Sequence, residues 1–152
     1  MKKAIMKENK QIVVKAYFLV RNKGKVLVHK ILSNTGEDNL VRPPGGHVEY
    51  GEHSIDTVKR EAKEEMGINL INVKLLGTLE NIFRDPNKNL YHEILFIYKA
   101  ALSKKSAYKK EKIPCKELDG RKFDMFWVNL NEIKIGKIKF VPKGMRAFLN
   151  KV

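Results

Sequence analysis

The chain has 152 residues, of which 43% are hydrophobic and 32% charged, as expected for one globular domain with its own core. No apolar run approaches the roughly eighteen residues of a membrane span, and the N-terminal MKKAIMKENK lacks the apolar stretch of a signal peptide. A single cysteine, Cys115, excludes an internal disulfide framework and indicates a reducing cytoplasm. We therefore expect residues 1–152 to form one cytoplasmic domain.

The chain is strongly basic, with 31 Lys and Arg against 17 Asp and Glu and a formal net charge of +14. Twenty-five of the basic residues are lysines distributed along the sequence, as is typical of a solvated surface. Arginine is the side chain suited to bidentate contacts with phosphate and guanine, and only six are present. The charge therefore leaves nucleic acid possible but not favoured as a partner, and it should attract polyanionic substrates.

Strands are predicted in the first part of the chain. Residues 12–20 (IVVKAYFLV) are rich in β-branched and aromatic side chains, and residues 25–31 (KVLVHKI) alternate, with RNKG as a hairpin turn between them. Residues 34–39 (NTGEDN) are predicted to be a loop, and residues 40–41 a short strand.

A helix is predicted next, from about His53 to Met66, with Gly67 ending it in a left-handed conformation. The Pro-Pro-Gly-Gly sequence of residues 43–46 should form a rigid loop before it. The pattern of the remaining chain predicts strands at 72–80, 91–101 and 123–130, a long Lys-rich surface loop at 103–121 that borders the site, and a short C-terminal helix after Pro142. This order predicts an α/β fold with a mixed sheet covered on two faces.

One segment is acidic although the chain is basic. Residues 46–68 contain six acidic and three basic residues, a net charge of −3. Glu61 and Glu65 are four residues apart beside the predicted apolar stripe of the helix, with Glu64 one position further round. Three such carboxylates repel one another, and a divalent hard cation such as Mg²⁺ would remove the conflict. An exposed, solvated helix is the alternative explanation for the sequence REAKEE alone.

The acidic segment resembles the Nudix box, G-x5-E-x7-R-E-U-x-E-E-x-G-U with U aliphatic, of the Nudix hydrolase (MutT-like) family. The matching positions are Gly46, Glu52, Arg60, Glu61, Ala62, Glu64, Glu65, Gly67 and Ile68. Residues 42–52 (RPPGGHVEYGE) and 126–133 (FWVNLNEI) resemble the strand and loop before the box and the late strand before the closing helix. Residues 80–83 (ENIF) and 91–98 (YHEILFIY) resemble a bacterial subgroup of unassigned substrate.

The resemblance implies a Nudix-type α/β/α sandwich and hydrolysis of a diphosphate bond with Mg²⁺ or Mn²⁺ as cofactor. It assigns Glu61, Glu64 and Glu65 as metal ligands together with the Gly46 carbonyl, and either Glu61 or Glu64 as the general base. Arg60 is expected to orient the glutamates, and Glu52 to hold the junction between loop and helix. Family members are often dimers, so a homodimer is also implied.

Further candidates lie outside the box. In the family an additional glutamate often completes the metal site, and the candidates are Glu93, Glu111 and Glu117, each of which is otherwise a surface carboxylate. Arg42 is a candidate phosphate or ribose contact or a structural ion pair, and His47 a substrate contact or a structural loop residue. We therefore take Arg42, His47, Glu93 and Glu111 as candidate substrate-binding residues.

The expected substrate is a nucleoside di- or triphosphate derivative, namely an NTP, an oxidised dNTP, ADP-ribose or a nucleotide sugar. An RNA 5′-end pyrophosphohydrolase is the alternative, favoured by the net charge alone. A non-catalytic RNA- or nucleotide-binding module on the same fold is a second alternative, which the loss of a box glutamate would favour; every one is present.

Overall fold

The computed structural model describes residues 10–31 and 39–152, with strands and helices interleaved along the chain. The strands are β1 (Ile12–Leu19), β2 (Arg21–Asn22), β3 (Lys25–Lys30), β4 (Leu40–Arg42), β5 (Gly45–His47), β6 (Leu70–Arg84), β7 (Leu90–Leu102), β8 (Lys112–Lys116), β9 (Lys122–Asn129) and β10 (Lys139–Phe140). The helices are α1 (Ser54–Met66) and α2 (Leu130–Lys134), and the 3-10 helices are η1 (Lys105–Lys109) and η2 (Lys143–Lys151).

The strands form two mixed sheets. The first has the order β5-β1-β7-β6, with β1 parallel to β7 and the other pairs antiparallel. The second has the order β10-β4-β3-β9-β8, with β2 paired to β3 and only the β4–β10 pair parallel. The predicted mixed α/β class is confirmed. The strands form two mixed sheets rather than one, because β1 pairs with β5 and β7 whereas β3 pairs with β2, β4 and β9.

The core lies on both faces of β1, whose side chains alternate between two apolar clusters. Ala16 and Phe18 point towards α1, where they pack with Val58 and other buried residues. Tyr17 and Leu19 point the other way into a cluster that includes residues of α2 and η2. Helical elements therefore cover the strands from two sides, as the α/β/α sandwich requires.

Several predicted elements are changed by the structure. Residues 103–121 are not one long loop, because η1 and β8 occupy most of the segment. Gly45 and Gly46, predicted to lie in a rigid loop, form the edge strand β5 together with His47, because their backbone pairs with β1. The helix α2 was not predicted, and the C-terminal helix is 3-10.

Other predictions are confirmed. The first helix is α1, from Ser54 to Met66, and Gly67 caps it with φ 67°. The predicted strands correspond to β1, β3, β4, β6, β7 and β9, with β6 and β7 longer than expected. The predicted loop 34–39 lies outside the described residues except for Asn39. Within 10–31 and 39–152, no helix has the length and apolarity required to cross a bilayer.

Candidate active site

The helix α1 places the functional side chains along one flank. Its apolar positions Val58 and Ala62 are fully buried against β1 and its neighbours. Arg60, Glu61 and Glu64 are half-buried. Glu61 lies three residues after Val58 and therefore borders the stripe, whereas Arg60 and Glu64 lie further round the helix on the same side as Glu61. Packing of the apolar stripe therefore fixes the direction in which the charged side chains project.

These side chains line an open cavity of about 370 Å³ between α1 and the turn that joins β8 to β9. The lining residues are His47, Glu49, Arg60, Glu61, Glu64, Glu65, Glu117, Leu118, Asp119 and Arg121. The cavity brings all three predicted glutamate ligands together with Arg60. Four lining residues were not among the predicted site residues, namely Glu49, Leu118, Asp119 and Arg121. The last three lie in the Lys-rich segment that was predicted to border the site.

Arg60 lies among the carboxylates, and all three of its side-chain nitrogens donate hydrogen bonds. Nε and Nη2 donate to the two carboxylate oxygens of Glu52 at 2.8 and 3.0 Å, which is a bidentate ion pair. Nη1 donates to Glu61 Oε1 and to Glu64 Oε2, both at 3.2 Å, and Nη2 also donates to the His47 carbonyl at 3.1 Å. The hydrogen bonds to Glu52 are the main reason why the pKa of Arg60 is raised. Arg60 therefore ties the loop before α1 to two glutamates of the helix.

Glu52 joins the loop to the helix, as the resemblance implied. Besides Arg60, its Oε2 accepts hydrogen bonds from the Thr57 hydroxyl at 2.9 Å and from the Glu49 backbone N–H at 3.1 Å. The hydrogen bond from Arg60 is the main cause that lowers the pKa of Glu52 to about 2. The carboxylate form of Glu52 is therefore the form that the native junction stabilises.

Replacing Glu52 with glutamine should reduce stability in a pH-dependent way. Because the pKa of Glu52 is lower in the folded than in the unfolded chain, its contribution is complete above about pH 5 and is lost as the pH falls towards about 2. We expect the Glu52→Gln variant to unfold with about 1.5–3 kcal/mol less free energy at pH 7, the usual contribution of hydrogen bonds to a charged group. Urea unfolding of both proteins at pH 7 and pH 3 measures the difference, and a gap that widens on acidification would contradict this role.

Glu61 and Glu65 are two carboxyl groups of the site whose pKa is raised. Burial is the main cause that raises the pKa of both carboxyl groups, and for Glu65 the charges of Glu61 and Glu117 add to it, giving about 8. Arg60 acts in the opposite direction on Glu61 without cancelling the rise. The protein alone therefore does not supply enough positive charge to keep all of these glutamates ionised near neutral pH.

Gly46 provides the space that Glu61 occupies. A Cβ built on Gly46 would overlap the Glu61 carboxylate, lying 2.5 Å from its Cδ and 3.1 Å from its Cγ. Only glycine therefore lets the β5 backbone approach the carboxylate so closely. This contact places the first residue of the box directly against one of its predicted ligands.

The carboxylate donors fit a hard divalent cation, although their oxygens are not arranged in a complete coordination geometry. In the part of the chain that the structure describes, no group of three or more His, Cys, Asp or Glu side chains is arranged as a metal cluster. Glu61 and Glu64 contact Arg60 instead. Carboxylate oxygens in one open cavity, with a surplus of negative charge, are nevertheless the ligands that Mg²⁺ and Mn²⁺ prefer. A cation here would relieve the repulsion from Glu61 and Glu117 that adds to burial in raising the pKa of Glu65.

The candidates outside the box separate into two groups. His47 and Glu117 line the cavity, so their predicted roles are compatible with their positions. Arg42, Glu93 and Glu111 are not among the lining residues. The Arg42 guanidinium lies 5.9 Å from the centre of the Tyr17 ring, a cation–π contact, and Glu111 is exposed just before β8.

Glu93 belongs to a separate polar cluster on the first sheet. It is 5% exposed, pairs with Lys15 Nζ at 2.5 Å and accepts a hydrogen bond from Asn81 Nδ2 at 3.0 Å. Lys15 is the register partner of His47 in the β1–β5 pair, and its charge contributes to the lowered pKa of His47, after burial. The ion pair satisfies the buried Glu93 carboxylate within the sheet.

Comparison with known proteins agrees with this fold. The sequence model of the NUDIX domain matches residues 9–151. The chain therefore belongs to the Nudix family and is a Nudix hydrolase.

Solved structures with a similar fold include a MutT protein from Methanosarcina mazei Go1, at 21% identity and a TM-score of 0.62, with 94% of each chain covered. A MutT NUDIX hydrolase from Burkholderia pseudomallei is 24% identical with a TM-score of 0.58, covering 80% of this chain and 86% of its own. A NUDIX-family hydrolase from Clostridium perfringens is 19% identical with a TM-score of 0.60, covering 93% and 96%. At these identities the structures show a shared fold.

Proposed function

We propose that this Nudix hydrolase cleaves the diphosphate bond of a nucleoside di- or triphosphate derivative with Mg²⁺ or Mn²⁺. The observation that carries the proposal is the convergence of Glu61, Glu64 and Glu65 with Arg60 on one open cavity, beside the glycine that makes room for Glu61. The rise in the pKa of Glu65 supports a cationic occupant. An NTP, an oxidised dNTP, ADP-ribose or a nucleotide sugar would supply the diphosphate.

In this proposal each side chain has a distinct task. Glu61, Glu64 and Glu65, with the Gly46 carbonyl, would hold the cation, which would supply positive charge against the diphosphate. Glu61 or Glu64 accepts the proton of the attacking water. Arg60 and Glu52 keep the glutamates in place through the hydrogen bonds described above. Arg121, at the rim and paired with Asp119 at 2.7 Å, adds positive charge near the incoming phosphates.

The cellular setting follows from the same proposal. We take residues 1–152 as one Nudix domain that acts in the cytoplasm, where nucleotides and Mg²⁺ are present and the single thiol of Cys115 stays reduced. A homodimer is part of the proposal through family resemblance, and sedimentation at several protein concentrations tests it.

A substrate panel with each metal tests the proposed reaction. We expect metal-dependent release of a nucleoside monophosphate from one substrate class in Mg²⁺ or Mn²⁺, and none in EDTA. Chromatographic separation of products from NTPs, oxidised dNTPs, ADP-ribose, nucleotide sugars and dinucleoside polyphosphates identifies the class. Turnover that persists in EDTA would contradict the proposed role of the glutamates, and folded protein inactive on every member would favour a binding module.

A further inference from the structure

The positive charge of the chain is concentrated in one segment. Residues 103–122 contain eight basic and three acidic residues, a net charge of +5 in 20 residues, which leaves +9 for the other 132. The segment comprises η1, β8 and the turn to β9, and the end of this segment lines the catalytic cavity. Basic residues are therefore denser in residues 103–122 than in the rest of the chain, and this segment ends at the cavity that contains Glu61, Glu64 and Glu65.

These lysines are available to a ligand. They are all exposed, and within the described ranges none of them has an ion pair or a side-chain hydrogen bond: Lys104, Lys105, Lys109, Lys110, Lys112, Lys116 and Lys122. On β8, Lys112 and Lys116 lie on one face, because Ile113 and Cys115 alternate with them and are buried. The strand thus carries a row of uncompensated positive charge along its outer face.

A second cavity lies in the crevice between β8 and α1. The strand β8 is at the edge of its sheet, and α1 contacts it. This cavity has a volume of about 170 Å³ and is lined by Met66, Ile68, Lys104, Ser106, Ala107, Lys110, Ile113 and Pro114. Its floor is apolar, and its polar groups are two lysines and one serine hydroxyl. Such a surface suits a base or ribose on the floor with a phosphate held by the lysines.

The two cavities are neighbours along this crevice. Glu65 lines the catalytic cavity and the next residue, Met66, lines the second. Pro114 of the second cavity and Glu117 of the first are three residues apart along and just beyond β8, which spaces them by about 10 Å. A ligand that reaches both cavities and also pairs with Lys104 and Lys110 must carry a further anionic group beyond the diphosphate that is cleaved.

We infer that Lys104 and Lys110 form a second phosphate subsite, and that the substrate is a 5′-triphosphorylated oligonucleotide rather than a free nucleotide. The triphosphate would enter the catalytic cavity, while the chain continues along β8 with a later phosphate on these lysines. A free NTP has no phosphate left for the second cavity, whereas a single strand presents phosphates at regular intervals. The inference rests on the proposed diphosphate hydrolysis and specifies its substrate class.

A charge-matched pair of variants tests the subsite. Lys104→Ala/Lys110→Ala removes the two lysines of the cavity, and Lys134→Ala/Lys143→Ala removes two exposed lysines on α2 and η2, away from α1. We expect kcat/KM for a short 5′-triphosphorylated oligoribonucleotide to fall at least about tenfold in the first variant only. With GTP, both variants should match the wild-type protein.

Binding without turnover provides an independent reading. Fluorescence anisotropy of a 3′-labelled oligoribonucleotide in EDTA should show a log–log salt slope lower by about 0.7 in the subsite variant, since about 0.7 is lost per phosphate on a single strand and the two lysines hold one phosphate. Equal losses in both variants, or none, would overturn the subsite. If the loss of Lys104 and Lys110 reduces kcat/KM only for diadenosine tetraphosphate, the proposed oligonucleotide substrate is wrong. A further outcome is that the wild-type protein cleaves no diphosphate while the subsite variant still shows a lower salt slope for oligonucleotide binding. In that case the proposed hydrolysis is wrong and the phosphate subsite is supported.

Discussion

Replacing Glu65 or Glu64 with glutamine should lower kcat by about 10²- to 10⁴-fold or more, with little loss of stability. The amide keeps the size of the side chain but removes the negative charge that would bind a cation. At Glu65 it also removes both the burial of a charge and the repulsion from Glu61 and Glu117, the causes that raise the pKa of this carboxyl group. The metal-free Glu65→Gln protein should therefore unfold at the same or a higher temperature than the wild-type protein.

The matched control is Asp56→Asn, an exposed carboxylate in the first turn of the same helix. It should retain wild-type kcat. Steady-state kinetics on the substrate found by the panel, with thermal unfolding in EDTA and in Mn²⁺, compares the three variants. The wild-type protein and Asp56→Asn should gain stability from Mn²⁺, because the ion binds only the folded chain, and Glu65→Gln should gain less. Near-normal turnover in both glutamine variants would disprove the assignment of these residues.

Gly46→Ala should abolish most of the activity, while Gly45→Ala should damage the fold. At Gly46 the new methyl group meets the end of a flexible glutamate, so the chain can fold by displacing Glu61 from its position. At Gly45, with φ 151°, it meets the backbone, including Tyr17 Cα at 2.8 Å, which cannot move without disturbing the β1–β5 pair. We expect at least about a tenfold loss of kcat for Gly46→Ala, because even the loss of a group that only positions a metal ligand costs about 10- to 100-fold, and here a proposed ligand itself is displaced.

For Gly45→Ala we expect a loss of about 2–3 kcal/mol in unfolding free energy, as for an overpacked core. Denaturant unfolding and kinetics of both variants distinguish the two effects, with Gly24→Ala as a control, because a Cβ there meets nothing within 4 Å. If Gly46→Ala keeps full activity, the close approach to Glu61 has no part in catalysis. If the two variants lose stability equally, the contrast between side-chain and backbone contacts is wrong.

Much of the site could be predicted because it depends on local sequence. The helix α1 follows from the spacing of Val58 and Ala62 and from Gly67 at its end, and this spacing places Glu61, Glu64 and Glu65 on one flank. The ion pair between Arg60 and Glu52 spans only eight residues. Short-range periodicity was therefore sufficient for the helix and the side chains it carries.

The rest depends on pairing between distant segments. The strand β5 consists of two glycines and a histidine, and only its pairing with β1 makes it a strand. In β8, Lys112 and Pro114 obscured the alternation with Ile113, because a lysine and a proline are typical of a loop. The position of Glu117 at the cavity follows from the β8–β9 pair and from the contact of β8 with α1, which no local pattern reveals.

The ion pairs of Arg60 also bear on the order in which the protein is assembled. In many small metalloproteins the ion is a folding partner, and the chain without it is unfolded. Here a guanidinium supplied by the chain already bridges the loop and the helix through Glu52, Glu61 and Glu64. We therefore expect the chain to fold without metal and to bind and release the ion afterwards. The metal would then act as a reversible ligand of a folded enzyme, and activity would follow the metal concentration while the fold stays unchanged.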